Sequence, residues 1–148
     1  MQRKLSATRL TLWVNRAIAL VLLALIFLMP ALLNWYCNFR DLSTTEYRAI
    51  LIAFYCCAVV SAAALWNLDR LLSNILVGRV FVRANVTRIR RIQWCCGGIA
   101  LICLPAAVIY LPLCFMVVTM AFLSLVVGVV AQVMAAAVEI REENDLTI

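Results

Sequence analysis

The feature that most restricts the fold of this chain is a run of 47 residues, 92–138, that contains no charged side chain. A single helix of that length would be about 70 Å long, whereas the hydrocarbon core of a bilayer is about 30 Å thick. The run must therefore fold back on itself. Pro112 lies near its middle and marks the turn, because proline interrupts a helix. We predict one membrane span over residues 92–111 and another over 113–138.

Two shorter apolar runs lie in the first half of the chain. Residues 17–39 form an uncharged stretch of 23 residues, and residues 49–68 form one of 20. A spanning helix needs about 20 residues, so we predict spans over residues 14–36 and 49–70. Trp13 lies at the start of the first span, where interfacial aromatic residues are typical.

The composition is typical of a membrane protein. Hydrophobic residues make up 67% of the 148 residues and charged residues 14%, against about 45–50% and about 25% in soluble domains. Four spans leave no room for a second sizeable domain. We therefore predict an all-α integral membrane protein with a single domain, residues 1–148, built from four transmembrane helices.

Local signals predict where the helices begin and end. Either Ser43 or Thr44 caps the second helix, because short hydroxyl side chains satisfy the free N–H groups at a helix start. Gly78 is expected to end that helix, and Asn85 is expected to cap the third. Pro30 is expected either to kink the first helix or to end it.

The basic residues predict the orientation. Residues 69–91, the basic segment, hold six of the 13 Lys and Arg residues, and four spans place this segment on the same side as both termini. That side carries eleven Lys and Arg residues, and the other side carries only Arg40 and Arg48. Because short loops rich in Lys and Arg stay in the cytoplasm, we expect the basic segment and both termini to be cytoplasmic.

Residues that usually carry catalysis or hold metals are scarce. The chain has no histidine and seven cysteines. Membrane thiol oxidoreductases use a C-x-x-C pair, whereas the nearest pairs here are adjacent, Cys56-Cys57 and Cys95-Cys96. A thiol inside a span acts as a small apolar packing group, so we predict structural cysteines. The sequence shows no metal-ligand cluster, phosphate-binding glycine loop or nucleophile–base pair. We therefore expect no enzymatic activity, no catalytic residue, no metal and no cofactor.

Polar residues inside the spans bear on transport, the alternative function class. Small four-helix exporters carry a carboxylate in the first span, and intramembrane charges are the usual mark of transport. The interiors of the predicted spans contain none, and polar residues such as Ser124 and Gln132 more often join helices. A small oligomeric channel or transporter remains the alternative. Small residues such as Gly128 and Ala135 fit either packing within one bundle or a seam between two copies.

The basic segment itself has two interpretations. It serves membrane insertion alone, or it is a docking surface for anionic lipid or for an acidic protein. Several arginines at the start of the third helix oppose its macrodipole, and the acidic tail, residues 139–148, leaves the membrane beside them. We therefore expect the tail to fold against the basic segment. The residues of this docking surface are Arg79, Phe81, Arg83, Asn85, Arg88, Arg90, Arg91, Glu142, Glu143, Asn144 and Asp145.

Two motifs stand out in the second half of the chain. The first is Gly78-Arg79-Val80-Phe81-Val82-Arg83-Ala84-Asn85-Val86, followed by Arg88-Ile89-Arg90-Arg91-Ile92, and the second is the ending Glu142-Glu143-Asn144-Asp145-Leu146-Thr147-Ile148. Both resemble a family of small bacterial four-helix membrane proteins of unknown function. That family shows G-x-x-F-(S/T)-x-E-N before a basic stretch and ends in E-N-D-L-T-I. Val82 and Ala84 stand where the family has a hydroxyl residue and a glutamate.

This resemblance implies a protein of the bacterial inner membrane. Some family members look like partners of small helix-turn-helix regulators encoded beside them, which implies a membrane anchor or sensor. We therefore expect a non-enzymatic regulatory or docking module whose basic segment and acidic tail engage a small DNA-binding regulator. The expected partners are the lipid bilayer, this regulator, anionic lipid at the arginines and further copies of the chain, without direct contact to nucleic acid.

Overall fold

Four long α-helices make up the protein in the computed structural model, which describes residues 2–40 and 42–145, with the side chains of 8–40 and 42–144. The helices are α1 (Gln2–Arg40), α2 (Thr44–Leu76), α3 (Arg83–Ile109) and α4 (Leu113–Asp145). Each is long and apolar enough to cross a membrane. The prediction of an all-α chain with four such helices is confirmed. The last three residues of the C-terminal motif lie outside the described residues.

Successive helices run antiparallel, and each packs against its neighbours in the chain. Contacts that join the first half of one helix to the second half of the next establish this direction. They are the hydrogen bonds of Asn15 to Leu65 and of Arg83 to Glu142, and the contact of Cys57 on α2 with Cys103 on α3. The start of α1, the link between α2 and α3 and the end of α4 therefore lie together. We call this end, which includes residues 69–91, the arginine end.

The third helix is the most enclosed of the four. In the apolar stretch of α3 28% of the residues are buried, against 6% in those of α1 and α4. Among the described residues, α3 packs closely against both α2 and α4, whereas α1 packs closely only against α2. The hydroxyl groups of Tyr36 and Tyr110 add a bond of 2.8 Å between α1 and the α3–α4 turn. The exposed apolar faces of α1 and α4 are the surfaces that a bilayer would cover.

The first helix continues through Pro30, so of the two alternatives predicted for this proline, the one in which it ends the helix is wrong. Proline has no N–H to donate to the carbonyl four residues earlier, which is that of Ile26. The hydroxyl of Tyr55 on α2 donates to this carbonyl over 3.0 Å. A carbonyl freed by proline inside a membrane needs such a partner from a neighbouring helix, and this contact explains why α1 tolerates the proline.

The two ends of α2 follow the local signals. Ser43 is the cap, because its Oγ accepts from the N–H of Glu46 at 3.3 Å while its own N–H donates to the Glu46 carboxylate at 2.8 Å. This reciprocal pair is a capping box. At the other end, Gly78 has a φ of +80°, and the N–H of Arg79 reaches back to the carbonyl of Asn74 at 3.0 Å. Gly78 therefore ends the helix as predicted.

Small residues bring α3 and α4 close together. A Cβ added at Gly97 would lie 3.3 Å from the Oγ of Ser124, and that hydroxyl donates to the main-chain oxygen of Gln93 over 3.0 Å. On α4, Gly128 faces the side chain of Gln93, and Ala131 is only 1% exposed. Gly128 and Ala131 therefore serve packing inside the bundle. A seam between two copies, formed by other small residues such as Ala135, stays a prediction.

The seven cysteines are free thiols, and two of them lie close together across α2 and α3. The sulfur atoms of Cys57 and Cys103 are 3.5 Å apart. We expect a variant that retains only this pair to cross-link within the chain under a membrane-permeant oxidant, because the two sulfur atoms are already in contact. Mass spectrometry of a non-reducing digest measures the yield. A variant that retains Cys56 and Cys103 is the control, since Cys56 is exposed. Equal cross-linking yields in the two variants would contradict the contact between Cys57 and Cys103.

Candidate functional site

The link between α2 and α3 is organised around the side chain of Asn85, which is 0% exposed. Its Nδ2 donates to the main-chain oxygens of Arg79 at 2.7 Å and Val80 at 2.9 Å. Its Oδ1 accepts from Nδ2 of Asn74 on α2 at 2.8 Å. Arg79 and Val80 lie between two helices, so the amide satisfies carbonyls that no helix satisfies. Asn85 therefore holds the link against the start of α3.

The expectation that Asn85 caps α3 is wrong. The helix begins at Arg83, and Val82 occupies the cap position without a side-chain hydrogen bond. The amide of Asn85 instead bonds the link carbonyls and Asn74, which satisfies both its donor and its acceptor. Because Asn85 is buried, its side chain does not lie on the surface that the sequence predicted, and it instead holds the backbone beside that surface.

Arg83 and Glu142 form an ion pair that joins the start of α3 to the end of α4, and we call it the clasp. Nε of Arg83 donates to the two carboxylate oxygens at 2.9 and 3.0 Å, and Nη2 adds a third bond. The expected contact between the basic segment and the acidic tail is confirmed at this pair. The hydrogen bond from Arg83 lowers the pKa of Glu142, and Glu142 in turn raises the pKa of Arg83.

Exposure makes the clasp weak. The side chain of Arg83 is 78% exposed and that of Glu142 45% exposed. Ion pairs in contact with water contribute little to stability and weaken as salt rises. The clasp therefore joins the two helices loosely, and another anion at Arg83 is able to replace Glu142 at low cost.

A groove of about 310 Å³ lies beside the clasp, between α3 and α4. Val86 and the buried Val138 contribute its apolar surface, while Thr87 and Glu139 are exposed along it. Thr87 donates its hydroxyl to the main-chain oxygen of Arg83 at 3.2 Å and so stays on its own helix. The groove thus combines an apolar base with charged neighbours of both signs.

The other arginines of the basic segment fall into two groups. Arg88 donates from Nη1 to the main-chain oxygen of Arg70 at 2.9 Å, and the guanidinium of Arg70 lies 5.1 Å from the ring centre of Trp66. Arg88 therefore joins α3 to α2. The exposed members of the predicted docking surface are Arg79, Phe81, Arg90 and Arg91, together with Glu143 and Asn144 at the end of α4. The side chain of Asp145 lies outside the described side chains.

A second polar cluster, between α1 and α2 at the same end, was not predicted. Nε of Arg16 lies 3.1 Å from Oδ1 of Asp69. Next to this pair, Asn15 is buried at 4% exposure and donates from Nδ2 to the main-chain oxygen of Leu65 at 3.2 Å. One signal was available: Arg16 is the last charged residue before the first apolar run, and Asp69 is the first after the second. In two antiparallel helices, two such positions lie at the same height along the bundle axis.

The groups collected at the arginine end determine what chemistry it offers. In the described part of the chain, no three potential metal ligands come together. The exposed groups are guanidinium ions, carboxylates and an apolar groove. Such a surface is suited to electrostatic recognition of a charged partner, which gives specificity and a rapid encounter.

Four antiparallel helices, each able to cross a membrane and with most of their charges at one end, define a small multi-pass membrane protein. Helical membrane proteins of this size serve many functions, so the fold alone does not specify one. The chain belongs to a family of proteins of unknown function, DUF2975, whose model matches residues 13–148. No curated protein and no solved structure matches the chain.

Proposed function

We propose that the protein is a membrane-embedded docking module without enzymatic activity, held in the inner membrane of a bacterium with both termini in the cytoplasm. Its arginine end binds a small DNA-binding regulator through an acidic segment of that regulator. The observation that supports this most is the clasp, an exposed ion pair beside a groove and at the same end of the bundle as further exposed arginines. Eleven Lys and Arg residues lie at the arginine end and two at the opposite end, which supports a cytoplasmic position of both termini.

The fixed link explains how such a surface gains affinity. Because Asn85 bonds the carbonyls of Arg79 and Val80, the side chains of Arg79 and Phe81 project from a backbone that is already ordered. Ordering a loop on binding costs free energy, and a preformed surface avoids that cost. An acidic side chain of the regulator then competes with Glu142 for the guanidinium of Arg83.

Polar residues within the helices favour docking over transport. The side chains of Asn67 and Thr119 donate to carbonyls of their own helices, each over 2.8 Å, and Ser124 donates to a carbonyl of α3. Side chains satisfied in this way join helices or stay on one, and they do not form a continuous polar path. A small oligomeric channel or transporter is therefore the second candidate, and its pore would need further copies of the chain.

Capture from native membranes tests the proposal. The tagged chain is expected to retain a protein with a helix-turn-helix DNA-binding domain, identified by mass spectrometry. The variant Arg90→Gln with Arg91→Gln is expected to retain several-fold less, because two exposed cations are lost. The variant Arg40→Gln with Arg48→Gln removes two charges at the opposite end and should capture as much as the unmodified chain. Capture of no DNA-binding protein, or equal capture by all three chains, would contradict the proposal.

A further inference from the structure

A groove of about 310 Å³ opens between α1 and α2 at the arginine end, on the side of α2 away from the link. The ion pair of Arg16 and Asp69 borders one end of it. Ala19, Leu22 and Ala62 line the part that lies nearer the middle of the helices. The groove is therefore charged at one end and apolar along the rest, which is the pattern of a phospholipid.

One polar atom at this groove has no partner. Asn15 lines the groove and is 4% exposed, and its Oδ1 has no hydrogen bond among the described residues. A buried acceptor without a donor is unfavourable, and native proteins rarely leave one so. Among the described residues, its amide nitrogen donates to the carbonyl of Leu65 alone, over 3.2 Å. Because Asn15 lines the groove, a donor bound there would reach Oδ1 once the side chain rotates toward it.

The two charged side chains at the groove share a single hydrogen bond. Arg16 bonds Asp69 through Nε, and its terminal nitrogens have no partner among the described residues. Asp69 accepts this bond at Oδ1, and its side chain is 27% exposed. The cluster therefore offers free donors on a cation and a free acceptor on an anion, side by side.

Exposed tryptophans place the charged end of the groove at the level of lipid headgroups. Trp13 is 71% exposed and lies one turn before Arg16, and Trp66 is 65% exposed and lies one turn before Asp69. Tryptophan is enriched where a helix passes from the hydrocarbon core to the headgroups. The apolar part of the groove then lies at the depth of the acyl chains.

We propose that this groove binds one molecule of phosphatidylethanolamine from the leaflet at the arginine end. The lipid phosphate accepts hydrogen bonds from the terminal nitrogens of Arg16. Its primary ammonium donates to the carboxylate of Asp69 and to Oδ1 of Asn15, while an acyl chain lies along Ala19 and Leu22. One cation beside one anion matches a zwitterionic headgroup, and the ammonium supplies the donor that Asn15 lacks.

The same geometry discriminates against other common phospholipids. Phosphatidylcholine carries the same two charges, but its quaternary ammonium has no N–H and leaves Oδ1 of Asn15 unsatisfied. Phosphatidylglycerol has a phosphate for Arg16 but no cation for Asp69, so its net negative charge is repelled by that carboxylate. Selectivity among headgroups therefore distinguishes this site from a groove that any lipid fills.

Thermal unfolding of the purified chain in detergent, titrated with each of the three lipids carrying identical acyl chains, tests the proposal. Phosphatidylethanolamine is expected to bind about tenfold more tightly than phosphatidylcholine, as expected when charge-assisted hydrogen bonds are lost. The substitutions Asn15→Leu and Asp69→Asn should each abolish this preference. Asn67→Leu is the control, because Asn67 does not line the groove and its side chain bonds the carbonyl of Ala63 on its own helix.

A preference for phosphatidylethanolamine that Asn67→Leu keeps and the other two variants lose supports the site. Equal binding of the three lipids by the unmodified chain, tighter binding of phosphatidylglycerol, or a preference that survives both substitutions overturns it. Capture of a regulator by Arg90 and Arg91 is a separate measurement, so failure of the docking proposal leaves this result unaffected.

Discussion

Replacement of Asn85 by alanine is expected to lower the free energy of unfolding by about 2–3 kcal/mol. The substitution removes three hydrogen bonds of a fully buried side chain. The carbonyls of Arg79 and Val80 lose their donor, and Asn74 loses its acceptor. Tryptophan fluorescence during denaturation in detergent micelles measures the loss.

Trypsin supplies a second, local measurement of the same change. Because the amide no longer holds the link, cleavage after Arg79 should become several-fold faster in Asn85→Ala than in the unmodified chain. Asn67→Ala is the matched control: its side chain is half-buried and bonds the carbonyl of Ala63 on its own helix. We expect it to change stability by less than about 0.5 kcal/mol. If both variants unfold and are cleaved alike, Asn85 does not hold the link.

Three of the helix boundaries were predictable because their signals are local in the chain. Ser43 satisfies an N–H only three residues away, and Gly78 adopts a backbone conformation that other residues resist. Pro112 lies in the turn between Ile109 and Leu113, where an uncharged run too long for one span had to reverse. Each of these inferences needs only the neighbouring residues, so the sequence was sufficient.

Contacts between helices were not predictable in the same way, because they depend on how each helix is rotated about its axis. Nothing near Asn15 distinguishes it from an exposed asparagine, yet it faces α2 and is buried. Likewise, the bond from Tyr55 to the carbonyl of Ile26 exists only because α1 and α2 meet in one register. The prediction for Asn85 was wrong for this reason: a cap depends on the next residues, whereas its actual partners include Asn74 on another helix.

The contact of the acidic tail with the basic segment was predictable in kind but not in detail. Opposite charges at the ends of two antiparallel neighbours were bound to lie within reach of each other. Which residues form the ion pair depends on how the two helices are rotated about their axes, and in the structure they are Arg83 and Glu142. Arg88 instead bonds a carbonyl of α2, a role that its charge alone does not indicate.

Reversal of either charge of the clasp is expected to release the end of α4 from α3, and reversal of both is expected to restore the contact. In a cysteine-free background, spin labels at Phe81→Cys and Asn144→Cys report the distance between the two ends, since both positions are exposed. Arg83→Glu or Glu142→Arg alone should give a broad distribution at a longer distance. The double variant should return the narrow distribution of the parent, because the same ion pair forms with its partners exchanged.

The pH dependence of that distance tests the clasp without a change of charge by mutation. Because Arg83 lowers the pKa of Glu142 in the folded protein, the contribution of the clasp is fully present above the ordinary pKa of 4.5. It is lost as the pH falls through the lowered value, where the carboxylate becomes protonated. Glu142→Gln should show the open distribution at every pH, and high salt should open the parent at neutral pH. A distance in the parent that responds to neither acid nor salt would mean that packing of α4 on α3, and not the ion pair, holds the tail in place, and a partner would then gain nothing by competing for Arg83.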